Sequence, residues 1–237
     1  MTKKLRFYIK IIVFVLFFSK MSAQTSYTET PEITPKQHWI LESAFLREQY
    51  NGETDTHWSS MIRKGISKKI EVRLFYDLLG SMYNKEFRMG LLSTLLGLKY
   101  NYKTSNNSQY AILVQYQLGD NTSNSIDFNP SGYDLQWVIY HQFSNSGLGY
   151  NLGLSTIVNE AQFAYTYALN YNHLLHKNWS IYLEYFGNFT KDQSVVHRWG
   201  TGLSYQLSNT IQFESTITNQ MNAASNLICG VGINIII

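Results

Sequence analysis

One cysteine, Cys229, among 237 residues excludes an intramolecular disulfide. It also excludes a four-cysteine zinc site or an iron–sulfur cluster held by this chain alone. Charge is scarce as well. Asp, Glu, Lys and Arg make up 15% of the chain, against roughly 25% in an ordinary soluble domain. Aromatic residues are as frequent as charges, 15%, and disorder needs the opposite balance. No Gly-rich phosphate loop, HExxH or CxxC sequence occurs, so no cofactor or metal is expected. After the first two dozen residues there is no long apolar run and no sustained 3.6-residue period, which leaves no candidate membrane-spanning helix.

The positive net charge does not signal a nucleic-acid partner. Residues 1–24 hold five cations (Lys3, Lys4, Arg6, Lys10, Lys20) and no acid. The remainder has 19 − 5 = 14 cations against 16 acids, a net of −2, the wrong sign for binding phosphate backbones. Those five cations flank an unbroken apolar run of eight residues, 11–18, followed by Ser-Lys-Met-Ser-Ala. This is the layout of a secretory signal, and the run is too short to span a bilayer. We therefore expect a signal peptide over 1–23, a short N-terminal lead over 24–38, and one domain over 39–237.

That domain reads as strands. Trp179, Ile181, Leu183 and Tyr185 share one face, and Ser180, Tyr182 and Glu184 share the other. Phe163, Tyr165, Tyr167, Leu169 and Tyr171 alternate in the same way with smaller or polar neighbours. Period two is the mark of a strand whose faces meet different surroundings. About twelve such stretches occur, near 39–49, 56–64, 69–78, 91–103, 109–118, 133–143, 148–158, 162–174, 179–189, 195–206, 210–218 and 226–237. Every second connection is a short Ser-, Asn- or Gly-bearing turn, the grammar of an antiparallel meander. Most of the intervening connections are expected to be longer, 119–132 the longest.

Period two alone does not say which face meets water. Three features favour lipid outside. A soluble barrel of twelve strands would have a lumen wider than side chains fill. Glycines gather on the polar face (Gly97, Gly149, Gly153, Gly200, Gly202, Gly230, Gly232), where a concave wall crowds its own side chains. Trp39, Trp58, Trp179 and Trp199 fall near expected strand ends, as interfacial aromatic girdles do. The expected fold is thus all-β, a transmembrane antiparallel up-and-down β-barrel. Its edges must close, because unpaired backbone groups in hydrocarbon cost several kcal/mol each. An even strand number places both termini on one side, expected to be the periplasm of a Gram-negative cell.

Parity assigns Glu42, Arg63, Glu71, Arg73, Lys99, Asp134, Glu184, Arg198 and Glu214 to the inner face. Two readings stand open. They line a polar conduit with a mixed-charge constriction, or they form a structural ion-pair network that plugs the lumen. The stretch His141-Gln-Phe-Ser144-Asn145 raises a lipid hydrolase as a further reading. In a strand, residues three apart lie on opposite faces, so the geometry speaks against it.

Several phrases carry a family resemblance: Ile62-Arg-Lys-Gly-Ile-Ser-Lys-Lys-Ile-Glu-Val-Arg73, Leu96-Gly-Leu-Lys-Tyr100, Gly149-Tyr-Asn-Leu-Gly153, Leu183-Glu-Tyr-Phe-Gly187, Gly200-Thr-Gly-Leu-Ser-Tyr205 and Gly230-Val-Gly-Ile-Asn234. The chain resembles, over about 38–237, the outer-membrane barrel family labelled transporter, or MetA-pathway of phenol degradation. It departs from that pattern at Glu214, where Asp is usual, and at the final Ile237, where barrel-assembly machinery usually reads an aromatic residue. The resemblance implies a channel for an unidentified small solute, embedded in outer-membrane lipid. The alternative is a closed structural or adhesive barrel with the 119–132 loop as its contact surface.

Overall fold

A computed structural model describes residues 27–50, 53–83, 86–118, 132–157, 163–190, 195–221 and 226–237. The expected signal segment 1–23 and nearly all of the 119–132 loop lie outside the described residues. Twelve strands follow one another: β1 (Trp39–Tyr50), β2 (Glu53–Gly65), β3 (Ile70–Tyr83), β4 (Glu86–Thr104), β5 (Ser108–Leu118), β6 (Gly132–Gln142), β7 (Ser146–Ile157), β8 (Phe163–His176), β9 (Trp179–Thr190), β10 (Val196–Gln206), β11 (Ile211–Gln220) and β12 (Leu227–Ile236). Each pairs antiparallel with its sequence neighbours, and β1 pairs with β12, so the sheet is a closed barrel. The seam is tied by Trp39 N–H to the Ile237 carbonyl and Ile237 N–H to the Trp39 carbonyl, both 2.9 Å. Among the described strands no edge is left open, as hydrocarbon surroundings require.

The alternation read from the sequence becomes an inside and an outside. Along β9, Trp179, Ile181, Leu183 and Tyr185 are exposed, while Tyr182, Glu184 and Phe186 are buried. Along β11, Gln212, Glu214, Thr216 and Thr218 are buried while Phe213 and Ile217 are exposed. Large apolar side chains cover the outer wall, among them Phe45, Leu152, Leu183 and Val231. An apolar belt of that extent is a surface for lipid, not water.

The even-numbered connections are tight turns at 66–69, 105–107, 143–145, 177–178 and 207–210. The opposite end departs from expectation. Strand bounds leave only 51–52 between β1 and β2, and 84–85 between β3 and β4. These hairpins lengthen their ladders in place of forming loops. The β3–β4 register shifts after Asp77, which pairs with Ser93 while Leu78 pairs with Leu91. Leu92 is the extra residue, and this bulge breaks period two. That is why alternation marks β4 only from about 91, whereas the strand begins at Glu86.

Trp39 and Trp179 lie at the turn end, and Trp199 near the opposite rim. Trp58 does not lie at a strand end: β2 begins five residues earlier. Its indole Nε1–H donates to Ser43 Oγ at 2.9 Å, so the ring needs no interfacial water to satisfy its polar atom.

Candidate functional site

The lead does not hang from the barrel; it folds back into it. Pro31 and Pro35 lack an N–H and cannot join a ladder, which keeps this segment out of the wall. The chain turns at Gln37, whose φ of 69° is the left-handed conformation a non-glycine residue rarely adopts. From there the lead passes against Gly65. Gln37 N–H donates to the Gly65 carbonyl at 3.1 Å. A Cβ at Gly65 would overlap the carbonyls of Thr34 and Pro35, so the close approach depends on glycine.

Inside, the lead spans from one wall to another. At the β2–β4 wall, Lys99 Nζ donates to the Thr30 carbonyl at 2.7 Å, and Asn101 Nδ2 donates to the Pro31 carbonyl at 3.1 Å. Arg63 Nη2 donates to the Glu32 carbonyl at 3.3 Å. At β9, the N–H groups of Tyr27 and Thr28 donate to the two carboxylate oxygens of Glu184 at 3.1 and 3.0 Å. The Tyr27 ring stacks on Phe186 with centroids 4.2 Å apart.

Five of the sequence-predicted residues meet at the lead's root. Glu71 Oε1 accepts from Arg63 Nε at 2.9 Å and Arg73 Nη2 at 2.8 Å. Its Oε2 accepts from Arg63 Nη2 at 2.9 Å and from the Thr34 N–H and hydroxyl at 2.7 and 2.6 Å. Arg63 Nη1 reaches Glu42 at 2.7 Å. Arg73 Nη1 and Lys99 Nζ together hold Glu29 of the lead, one on each oxygen, at 2.7 and 3.1 Å. Arg73 lies across Gly97, whose missing Cβ makes the room. Burial alone would push the Glu29 carboxyl up, but Arg73 and Lys99 overcome it and hold it well below the usual carboxylate range. Glu71 and Lys99 are fully buried, so the lead and the charged wall pack together here without water between them.

The other four do not join the cluster. Glu184 is the lead's far anchor. Asp134 accepts from Gln136 Nε2 at 2.7 Å. Glu214 is buried on β11, and Arg198 is half-buried on β10. The inner face is also less uniformly polar than parity implied: Ala111, Leu113 and Val138 form a fully buried apolar cluster on β5 and β6.

On the side of the lead away from the tight turns lies a cavity of about 310 Å³, with Tyr27 and Glu29 among its lining residues. Its wall carries His57, bonded through Nδ1 to Asp77 at 3.1 Å and lying 3.5 Å from Glu48 through Nε2. Leu46, Met61 and Phe75 line it as well.

His141 and Ser144 do not form a pair. Ser144 is exposed in the 143–145 turn. His141 bonds Ser108 Oγ through Nδ1 at 2.7 Å and the Tyr150 hydroxyl through Nε2 at 3.0 Å.

Sequence reasoning missed Glu29, Thr34 and Asn101, and gave the lead no role. One signal was present: two of the three prolines stand within five residues of each other, among acids and threonines, immediately before the first strand. Such a stretch is too polar to pack as core and too proline-rich to pair as a strand.

Residues 22–233 match the family model described as putative MetA-pathway of phenol degradation. No curated protein matches the chain. Among solved structures, the COG4313 outer membrane channel from Pseudomonas putida F1 is similar at a TM-score of 0.66 and 10% identity, covering 92% of this chain and 100% of that one. The NanC porin is similar at 0.64 and 6% identity, with 82% and 98% covered. A KdgM porin in complex with disordered oligogalacturonate is similar at 0.59 and 11% identity, with 82% and 98% covered. At these identities the likeness shows a shared fold.

Proposed function

We propose, from the premise that the chain belongs to the family of the putative MetA-pathway of phenol degradation, that it is an outer-membrane channel for passive passage of small solutes. The observation that carries this reading is the inversion of the barrel. Apolar side chains cover its outer wall, while charged and amide side chains fill its inner one. A closed sheet of twelve strands is too wide for its own side chains to fill, which supports a solute route past the lead. The barrels with the same fold are described as channels and porins, which supports the reading.

The chain would be exported with residues 1–23 removed and inserted by barrel-assembly machinery. Both termini would lie in the periplasm, with the tight turns, and the 119–132 connection would face outward. No catalytic role is proposed for any residue. Single-channel recording in a planar bilayer tests the function. Discrete conductance steps are expected, larger in a variant lacking residues 27–36. A correctly inserted barrel that is silent in both forms would end the channel reading.

A further inference from the structure

We propose that Arg73 and Lys99 form a binding site for the carboxylate of an anionic solute, and that Glu29 of the lead occupies that site as a tethered stand-in. The inference rests on the channel reading for its physiological meaning, but not for the site itself. One carboxylate is gripped by two cations, one on each oxygen, at 2.7 and 3.1 Å. Both cationic side chains are fully buried. Arg73 gives one oxygen a charge-assisted hydrogen bond and Lys99 sets its charge beside the other, which is how a protein recognises a carboxylate in a water-poor setting.

Charge balance separates the wall from the lead. In the cluster the wall contributes Arg63, Arg73 and Lys99 against Glu42 and Glu71, one cation in excess. Glu29 cancels that excess and arrives on a segment outside the barrel wall. When the lead swings away, the wall keeps an uncompensated buried cation, which is costly until another anion takes the place. The lead is also fastened to the β2–β4 wall and to β9 by hydrogen bonds and an aromatic stack, which must loosen when it moves. A solute carboxylate entering from the cavity that Glu29 lines therefore reaches the site by displacing Glu29, and the lead moves with it. The solute thus opens the lumen it is to cross. A protein whose competent state is rare binds more weakly by the fraction populated, and removing the competitor restores the intrinsic affinity.

The test uses the full mature barrel purified in detergent and succinate as the probe, followed by isothermal titration calorimetry. Glu29→Ala is expected to bind succinate about tenfold tighter than wild type or better, and Glu29→Gln to show a smaller gain. Adding Lys99→Gln to Glu29→Ala should remove the gain, and choline should bind none of the forms. The proposal is overturned if Glu29→Ala binds no tighter than wild type, or if the gain survives the loss of Lys99. Heat-dependent gel migration confirms that each variant is folded. In the planar bilayer, succinate should raise the open fraction of wild type and leave Glu29→Ala, already open, unchanged. A wild type that conducts but ignores succinate refutes displacement of the lead. Silence of every variant retires the channel reading, whereas the anion site stands or falls on calorimetry alone.

Discussion

Glu71 is the residue whose removal should harm this barrel most. Its carboxylate accepts five hydrogen bonds, four of them from Arg63, Arg73 and the Thr34 hydroxyl, and one from the Thr34 backbone. It is fully buried between the two guanidinium groups. Glu71→Ala removes the anion and leaves Arg63 and Arg73 facing each other without water to screen them. Individual charge-assisted bonds are worth about 1.5–3 kcal/mol, but they share one carboxylate and do not add. The measured cost of breaking a buried pair, about 3–5 kcal/mol, is the relevant scale. Glu71→Gln keeps the shape and one acceptor oxygen, so a smaller loss is expected. The assay is guanidinium unfolding of the barrel refolded into lipid vesicles, followed by tryptophan emission and gel migration. A loss below about 1 kcal/mol, the scale of an exposed ion pair, would refute the claim that these charges are mutually dependent and sealed from water.

Four further outcomes follow from the geometry. Gly65→Val should push the lead off the wall, because its side chain collides with the Thr34 and Pro35 backbone carbonyls; a larger unitary conductance than wild type would show it. Val231→Arg, on the outer wall, should cost about 2–4 kcal/mol in vesicles, whereas Thr216→Arg on the inner face should escape that lipid penalty. Trp58→Phe loses the bond to Ser43, so unfolding should shift by about 1 kcal/mol. Glu29 carries a pH prediction. Its folded pKa is depressed, so its contribution is fully present above the unfolded value and lost only as pH falls through the depressed one. The lead should therefore stay seated from about pH 7 to about pH 5, read as hydrogen-exchange protection of the Tyr27 and Thr28 amides.

The wall was legible because a barrel strand in lipid has the simplest code there is, one face apolar and one not. β8 and β9 read correctly by parity alone. Where the code failed, a second rule intervened. The bulge at Leu92 put two leucines in succession and hid the start of β4. Ala111, Leu113 and Val138 are apolar and inward, because at that level the lumen is packed and not wet. The cluster was half legible. Parity placed Glu42, Arg63, Glu71, Arg73 and Lys99 inside, but only the barrel's register brings them together. Glu29 and Thr34 were not legible at all, since nothing periodic marks a segment that pairs with no strand. Their role depends on the chain reversing at Gln37.

Whether lipid is the solvent of the outer wall can be tested in one step. Membranes from cells producing the full chain are separated from the soluble periplasmic extract, and the protein is run on a gel with and without boiling. The protein is expected in the outer-membrane fraction, released only by detergent, with an unboiled band that migrates faster than the boiled one. A chain recovered in the detergent-free soluble extract, with identical migration in both lanes, would contradict the barrel's place in the membrane and the conduit that depends on it.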